Sequence, residues 1–300
     1  MTDQMAPGAK YAHFLGCVMP AKMPWAESAI MKTLPKLGID LTYLEKSTCC
    51  PRAGVWISVD KRVWLTLASY NLLQAEQEGR DVMVSCNGCY VTLYEANKLL
   101  HEDPKALAEV NEYLAAAGKK FDANIRVRHL LEVLYEDVGI ERIRKEGRKL
   151  NIRVAIHPGC HMRIFEDGRL VRYFTEITEA LGVEIVPYGL ERMCCGLQAN
   201  LADRDFATYD RAKRKFDAIQ STNVDALVIV CSGCYDQFER AIASMRKKDN
   251  YNFDIPVVHL AELLAVSCGL KPDDFGMRYM RTAPVDGLIE KLEKNVKIEA

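Results

Sequence analysis

Apolar residues fall along this chain in two rhythms, short unbroken runs and longer stretches at helical spacing. The run YAHFLGC (11–17) predicts a strand passing into a Gly-Cys turn. A helical stretch near 25–37 follows, then the strand-like IDLTYLE (39–45) leading to Cys49 and Cys50. Residues 60–79 hold apolar positions at helical spacing between an Asp60 cap and Gly79. DVMVSCNGCY (81–90) predicts a buried strand ending in a Cys-x-x-Cys loop, and amphipathic YVTLYEANKLL comes next.

The second half repeats this order. IRVAIHPGC (152–160) matches the first strand and turn, and RDFATYDRAKRKFDAIQST (204–222) matches the long helix. DALVIVCSGCY (225–235) is the second Cys-x-x-Cys strand, while VRHLLEVLYEDVGI (127–140) pairs with VVHLAELLAVSCGL (257–270). An extra charged helix, about 103–118, occurs only in the first half. Self-similarity of this kind marks a duplication. Strands alternating with helices predict an α/β fold of two tandem pseudo-symmetric repeats, each a mostly parallel sheet flanked by helices. The charged segment RIRKEGRKLN (142–151) places the boundary, giving 1–148 and 149–300.

Composition changes this picture little: 49% of residues are hydrophobic, 27% charged, and the net charge is −1. Neither nucleic acid nor an anionic membrane surface is indicated as a partner. No apolar run approaches the ~20 residues that cross a bilayer. The first residues, MTDQMAPGAKYAHF, lack a basic-then-apolar signal pattern, so a cytoplasmic protein is expected.

The cysteines change it a great deal. There are 11, and ten form two sets of nearly equal spacing. Cys17, Cys49, Cys50, Cys86 and Cys89 make the first, and Cys160, Cys194, Cys195, Cys231 and Cys234 the second. The offset is 143 residues at the first member and 145 at the other four. All ten fall at or past the C-terminal ends of predicted strands, the edge where parallel sheets build ligand sites. In a reducing compartment such grouping reads as metal or redox ligation. A tetrahedral zinc site takes four ligands, and a fifth thiolate adds unneeded charge. Adjacent cysteines reach two corners of one small tetrahedron with difficulty, whereas a multi-iron sulfide cluster has room for five. Iron–sulfur ligation is therefore favoured, with zinc in at least one half, redox-active disulfides and inert core thiols as alternatives. Gly16, Gly88, Gly159, Gly196 and Gly233 adjoin these motifs and fit close backbone approach to a cofactor. Cys268 has no counterpart, Val138 standing in the aligned place, and reads as a small buried hydrophobe.

The segments FLGCVMP, CCP, CNGCY…EAN and CCG resemble the cysteine-rich CCG domain family, and within it the B subunits of heterodisulfide reductases. The resemblance covers nearly the whole chain and both five-cysteine motifs. It implies one noncubane [4Fe-4S] cluster per repeat, held by the ten cysteines, with the clusters facing each other across the repeat interface. It further implies splitting of the mixed disulfide of coenzymes M and B, one sulfur going to each cluster. A ferredoxin-like C subunit with [4Fe-4S] clusters and a flavin-containing A subunit are the implied partners. The chain has no C-x2-C-x2-C run and no G-x-G-x-x-G loop, so electrons are expected from another subunit. VTLYEAN, LQANLA and CSGCYDQ depart from the methanogen pattern around the sites, which touches the substrate more than the cofactor. Other readings are a B-like component of a sulfur-oxidation complex, an electron-transfer subunit of a lactate- or glycolate-type dehydrogenase, and a zinc-bound scaffold.

Cys50 and Cys195, the second members of the doublets, are the candidate catalytic thiols, with Arg52 and His161 as further candidates. An anionic thiol or disulfide substrate needs cations or proton donors, which Arg52, Lys22, Arg163 and His161 could supply. His129 and His259 start the last helix of each repeat and point to a structural role or a hydrogen bond to a cluster sulfur. Six histidines with no HxxxH pair on a helix argue against a histidine metal site. The charged tail, 271–300, reads as docking on the body or on a partner.

Overall fold

A computed structural model describes residues 9–164, 168–279 and 281–298. The first repeat runs β1 (Lys10–Phe14), α1 (Pro24–Thr33), β2 (Asp40–Tyr43), α2 (Lys61–Gln77), β3 (Asp81–Val84), α3 (Asn87–Glu102), α4 (Pro104–Ala115) and β4 (Val127–His129). A helical run over 130–146 then leads into the second repeat. That repeat comprises β5 (Arg153–His157), α5 (Arg169–Ala180), β6 (Glu184–Ile185), α6 (Arg214–Gln220), β7 (Ala226–Ile229), α7 (Ser232–Asp249), β8 (Val257–His259) and α8 (Leu260–Ser267). A last helix, α9 (Asp286–Ile298), follows.

Each repeat forms one parallel four-stranded sheet, in the orders β2-β1-β3-β4 and β6-β5-β7-β8. The fold is α/β with two repeats, as the alternating pattern predicts. β1 and β3 are wholly buried along most of their length, which is why they read as unbroken apolar runs. Asp60 caps α2 by accepting the Arg62 backbone N–H, and the extra helix of the first half is α4. The second repeat departs where the first has a regular helix: residues Phe206–Lys213 form a wider π turn before α6.

The repeats are interlocked rather than laid side by side. α8, the last helix of the second sheet, packs on α1 of the first, and the run 130–146 packs reciprocally on α5. Trp25 of α1, 2% exposed, meets Tyr235 of α7 at 6.1 Å and the Arg281 guanidinium at 4.8 Å. Tyr135 and Tyr173 stack at 3.9 Å across the reciprocal contact. The tail docks on the body: Lys291 pairs with Asp225, and Asn295 donates to the carbonyls of Leu150 and Asn151. No described helix is long and apolar enough to cross a membrane.

Candidate functional site

In both sheets the strand order reverses between the first and third strands, so loops leaving those two ends diverge and open a crevice. Phe14 lies level with Val84, and His157 with Ile229, so each pair of strands ends together. Cys17 and Cys160 sit just beyond the first strand of each pair. Cys86 and Cys231 are the N-caps of α3 and α7, with Cys89 and Cys234 in their first turns. A helix N-terminus favours negative charge, and here it faces sulfur. The doublets enter from the loops after β2 and β6.

Each set forms a connected chain of thiols. Cys17 hydrogen-bonds Cys49, Cys50 lies 3.2 Å from Cys89, and Cys89 meets Cys86. In the second repeat Cys160 and Cys194 are 4.0 Å apart, Cys195 hydrogen-bonds Cys194 and Cys234, and Cys234 hydrogen-bonds Cys231. All eleven thiols are free. Crowding divides their protons unequally. Hydrogen bonds from Cys49 and Cys89 hold Cys50 low, at about 5, and Cys86 is held well below the thiol range by Cys231 and Cys89. Cys194 falls to about 2 through Cys160 and Cys195, while Cys195 rises to about 12, first through its bond to Cys194. In each set a minority of the thiols is held low and the others, Cys89 and Cys234 among them, are raised by their hydrogen bonds and by burial.

The two sets open into one cleft. Its lining includes every member of the sets except Cys49, together with Arg52, His161, Gln198 and Ser232. Cys86 and Cys231, from opposite repeats, are 3.8 Å apart. Arg52 of the first repeat reaches Gln198 of the second at 3.4 Å, and the His161 ring faces Gly88 across the same gap. Lys22 is turned away into a 2.5 Å pair with Asp236, which also holds Arg240 at 2.9 Å. The side chain of Arg163 lies outside the described residues. Cys268 packs, partly buried, against the core and lines no part of the cleft.

His129 and His259 take the structural role expected of them: they bond the Asn87 amide oxygen at 3.0 Å and the Ser85 carbonyl at 3.2 Å. Each also caps its helix, with Glu132 or Glu262 returning the bond. They brace the strand end that carries Cys86, and Asn87 passes the bracing across the interface to the Pro158 carbonyl at 2.7 Å. One histidine stands near the thiols. A ring nitrogen of His157 lies within 4.8 Å of the Cys195 and Cys234 sulfurs. No helix-pair motif could reveal it, because His157 is the last residue of a strand. Gln198 and Ser232 were also missed, although Ser232 stands inside its own Cys-x-x-Cys.

Residues 11–94 and 154–239 both match the CCG cysteine-rich domain. The chain belongs to the CCG family. It is 35% identical over 277 residues to the B subunit of the ferredoxin/F420H2-dependent CoB-CoM heterodisulfide reductase of Methanosarcina acetivorans, covering 90% of this chain and 92% of that one. A protein of Archaeoglobus profundus, described as like the B subunit of heterodisulfide reductase, is 34% identical over 95% of this chain and 99% of its own. The crystal structure of a hypothetical protein from Helicobacter pylori superposes with a TM-score of 0.74 at 15% identity, covering 93% of this chain and 53% of that one. That last likeness is one of fold.

The CCG sets fit a bulky sulfur-ligated group. A Cβ on Gly16 would stand 2.9 Å from the Cys89 sulfur, and one on Gly159 3.6 Å from that of Cys234. The two glycines have φ of +68° and +81°, a conformation that also favours glycine. Five converging sulfurs, with glycine at the close approaches of the backbone, form as thiolates a donor set that a cationic iron–sulfur core would neutralise.

Proposed function

We propose that this chain is the disulfide-handling subunit of a heterodisulfide-reductase-type complex, with one iron–sulfur cluster in each CCG repeat. The observation that carries the reading is the single cleft into which both thiol sets open, with Cys86 and Cys231 3.8 Å apart. Cys17, Cys49, Cys50, Cys86 and Cys89 would hold one noncubane [4Fe-4S] cluster, and Cys160, Cys194, Cys195, Cys231 and Cys234 the other. Clusters of this type supply one-electron redox chemistry and a soft Lewis acid for thiolate sulfur. The reaction is cleavage of a small disulfide to two thiols, with two electrons and two protons taken up, or its reverse.

This chain's residues bind and orient the substrate. Arg52, at the mouth of the cleft, holds an anionic end of the disulfide or thiol by charge-assisted hydrogen bonds. His161, facing it from the second repeat, holds a proton for a departing thiolate. Val18 and Leu197 add apolar surface to the cleft lining. Electrons come from partner subunits, a ferredoxin-like C subunit with [4Fe-4S] clusters and a flavin-containing A subunit. The halves 1–148 and 149–300 each contribute one site.

The test is anaerobic turnover of a mixed disulfide by the purified complex, compared with Cys195→Ser. The variant should lose activity by more than the roughly 10–100-fold that follows loss of an outer-shell contact. It should also change the electron paramagnetic resonance signal of one cluster. Wild-type rate and spectrum in Cys195→Ser would reject the assignment.

A further inference from the structure

The repeats copy their cysteines and do not copy what surrounds them. At three aligned positions the second repeat places a nitrogen donor where the first has none. Pro51, which lacks an N–H, follows the first doublet, whereas Gly196 follows the second and donates its N–H to the Cys194 sulfur at 3.4 Å. Phe14 ends β1, whereas His157 ends β5, against Cys195 and Cys234. Tyr70 lies on α2, whereas Lys215 lies on α6 with no exposed surface. The Lys215 ammonium donates to the Tyr188 hydroxyl at 3.1 Å and to the Leu190 carbonyl, in the loop that leads to the second doublet. Its charge interacts with Cys234, Cys195, the Glu191 carboxylate and Cys194.

Reducing an iron–sulfur site adds negative charge, and both a nearby cation and N–H groups directed at its sulfurs favour the reduced form. In a dry interior that influence is much larger than at a wetted surface. We infer that Lys215, His157 and the Gly196 N–H make the second thiol pocket hold an added electron more tightly than the first, so that the two sites are unequal in potential. The inference rests on the reading that each set holds an iron–sulfur cluster.

Three features of the molecule act the other way, the first being the Glu191 carboxylate, which interacts with Lys215 and offsets part of its charge. Arg52 places a charge near Cys49, but Cys49 is exposed and water screens that pair. Cys160 and Cys194 are less exposed than Cys17 and Cys49, and burial alone opposes added charge. A wholly buried ammonium whose charge acts on three of the sulfurs outweighs these. Lys215 is therefore a positioning residue in the electrostatic sense: it bonds the loop before the doublet and sets the charge balance of the pocket.

The experiment is a potentiometric titration of the anaerobically purified holoprotein, followed by visible absorption and electron paramagnetic resonance, with iron and acid-labile sulfide measured on every sample. The wild type should reduce in two separate waves. Lys215→Met should shift the higher wave to lower potential and leave the other in place, and Lys215→Arg should restore it. His157→Phe, which installs the first repeat's residue, should shift the same wave in the same direction and by less. Coincident waves in a wild type holding two clusters would overturn the inference, as would two waves unmoved by Lys215→Met. If Lys215→Met fails to fold, the His157→Phe shift decides. A holoprotein without iron and labile sulfide would instead reject the underlying assignment of clusters.

Discussion

At the residue after each doublet the repeats make opposite choices, Pro51 and Gly196, and the surroundings explain the second. Gly196 has φ +97°, and a Cβ there would stand 2.9 Å from the Ala207 carbonyl oxygen. Gly16, before the first cysteine, is crowded in the same way, with φ +68° and the Cys89 sulfur in the way of any side chain. Gly16→Ala should give a folded protein that loses iron from one site, as iron content and circular dichroism together would show. Gly79→Ala is the control, since Gly79 has φ +63° and nothing within 4 Å. It should cost only the left-handed backbone strain, about 1–2 kcal/mol, and keep its iron. Equal iron loss in both would mean that the close approach at Gly16 is irrelevant. At this scale the ten cysteines were legible because their spacing repeats, which singles them out from any background. Lys215 and His157 were not, because a lysine in RAKRKF reads as a helix surface and a histidine in VAIHPGC as a strand residue. What distinguishes them is depth, and depth is set by neighbours from other segments.

Among the elements, the strand-to-helix junctions at His129 and His259 carry the interface. Each ring is fully buried and accepts a backbone N–H from its helix, so it must stay neutral at one nitrogen. Burial lowers His129 to about 3 and His259 to about 4, against an ordinary value of 6.5. His13, buried and 2.8 Å from the Ser85 hydroxyl, is lowered to about 3 by the same cause. An unfolded chain binds protons at these rings that the folded one refuses, so their contribution is complete above pH 6.5. It is lost as the pH falls from there toward the folded values. Denaturant midpoints measured from about pH 7 to about pH 4.5 should therefore drop, and His259→Gln should flatten the decline. A midpoint independent of pH in that range would show that the rings are not buried neutral. The pattern of apolar runs predicted these strands and the capped helices well, since period and caps are local. It gave no hint of the π turn at 206–213 or of the two-residue β6, where packing decides the local geometry.

For the whole molecule, duplication was plain in the sequence and interlocking was not. Nothing in AIMKTL or LAELLAVS states that α8 covers α1 across the interface, because the apolar face of a helix does not name its partner. The consequence is that 1–148 and 149–300, although each carries a complete CCG motif, leave each other's first helix bare when separated. Either half expressed alone should aggregate or exchange its amides rapidly, and mixing during refolding should recover the full-length stability. A half that unfolds cooperatively on its own would contradict the interlocked packing. Trp25→Ala, which removes a side chain shared by both repeats, should destabilise the intact chain by about 3–5 kcal/mol. Interlocking also fixes the distance between the two thiol sets, so the cleft is a property of the pair and of neither repeat alone.

What the two thiol sets hold decides the chemistry of the cleft. Iron, zinc and acid-labile sulfide measured on the anaerobically purified full chain test this most directly. About eight irons per chain with matching labile sulfide is the predicted result for two four-iron clusters. Zinc in both sets with no labile sulfide would contradict it.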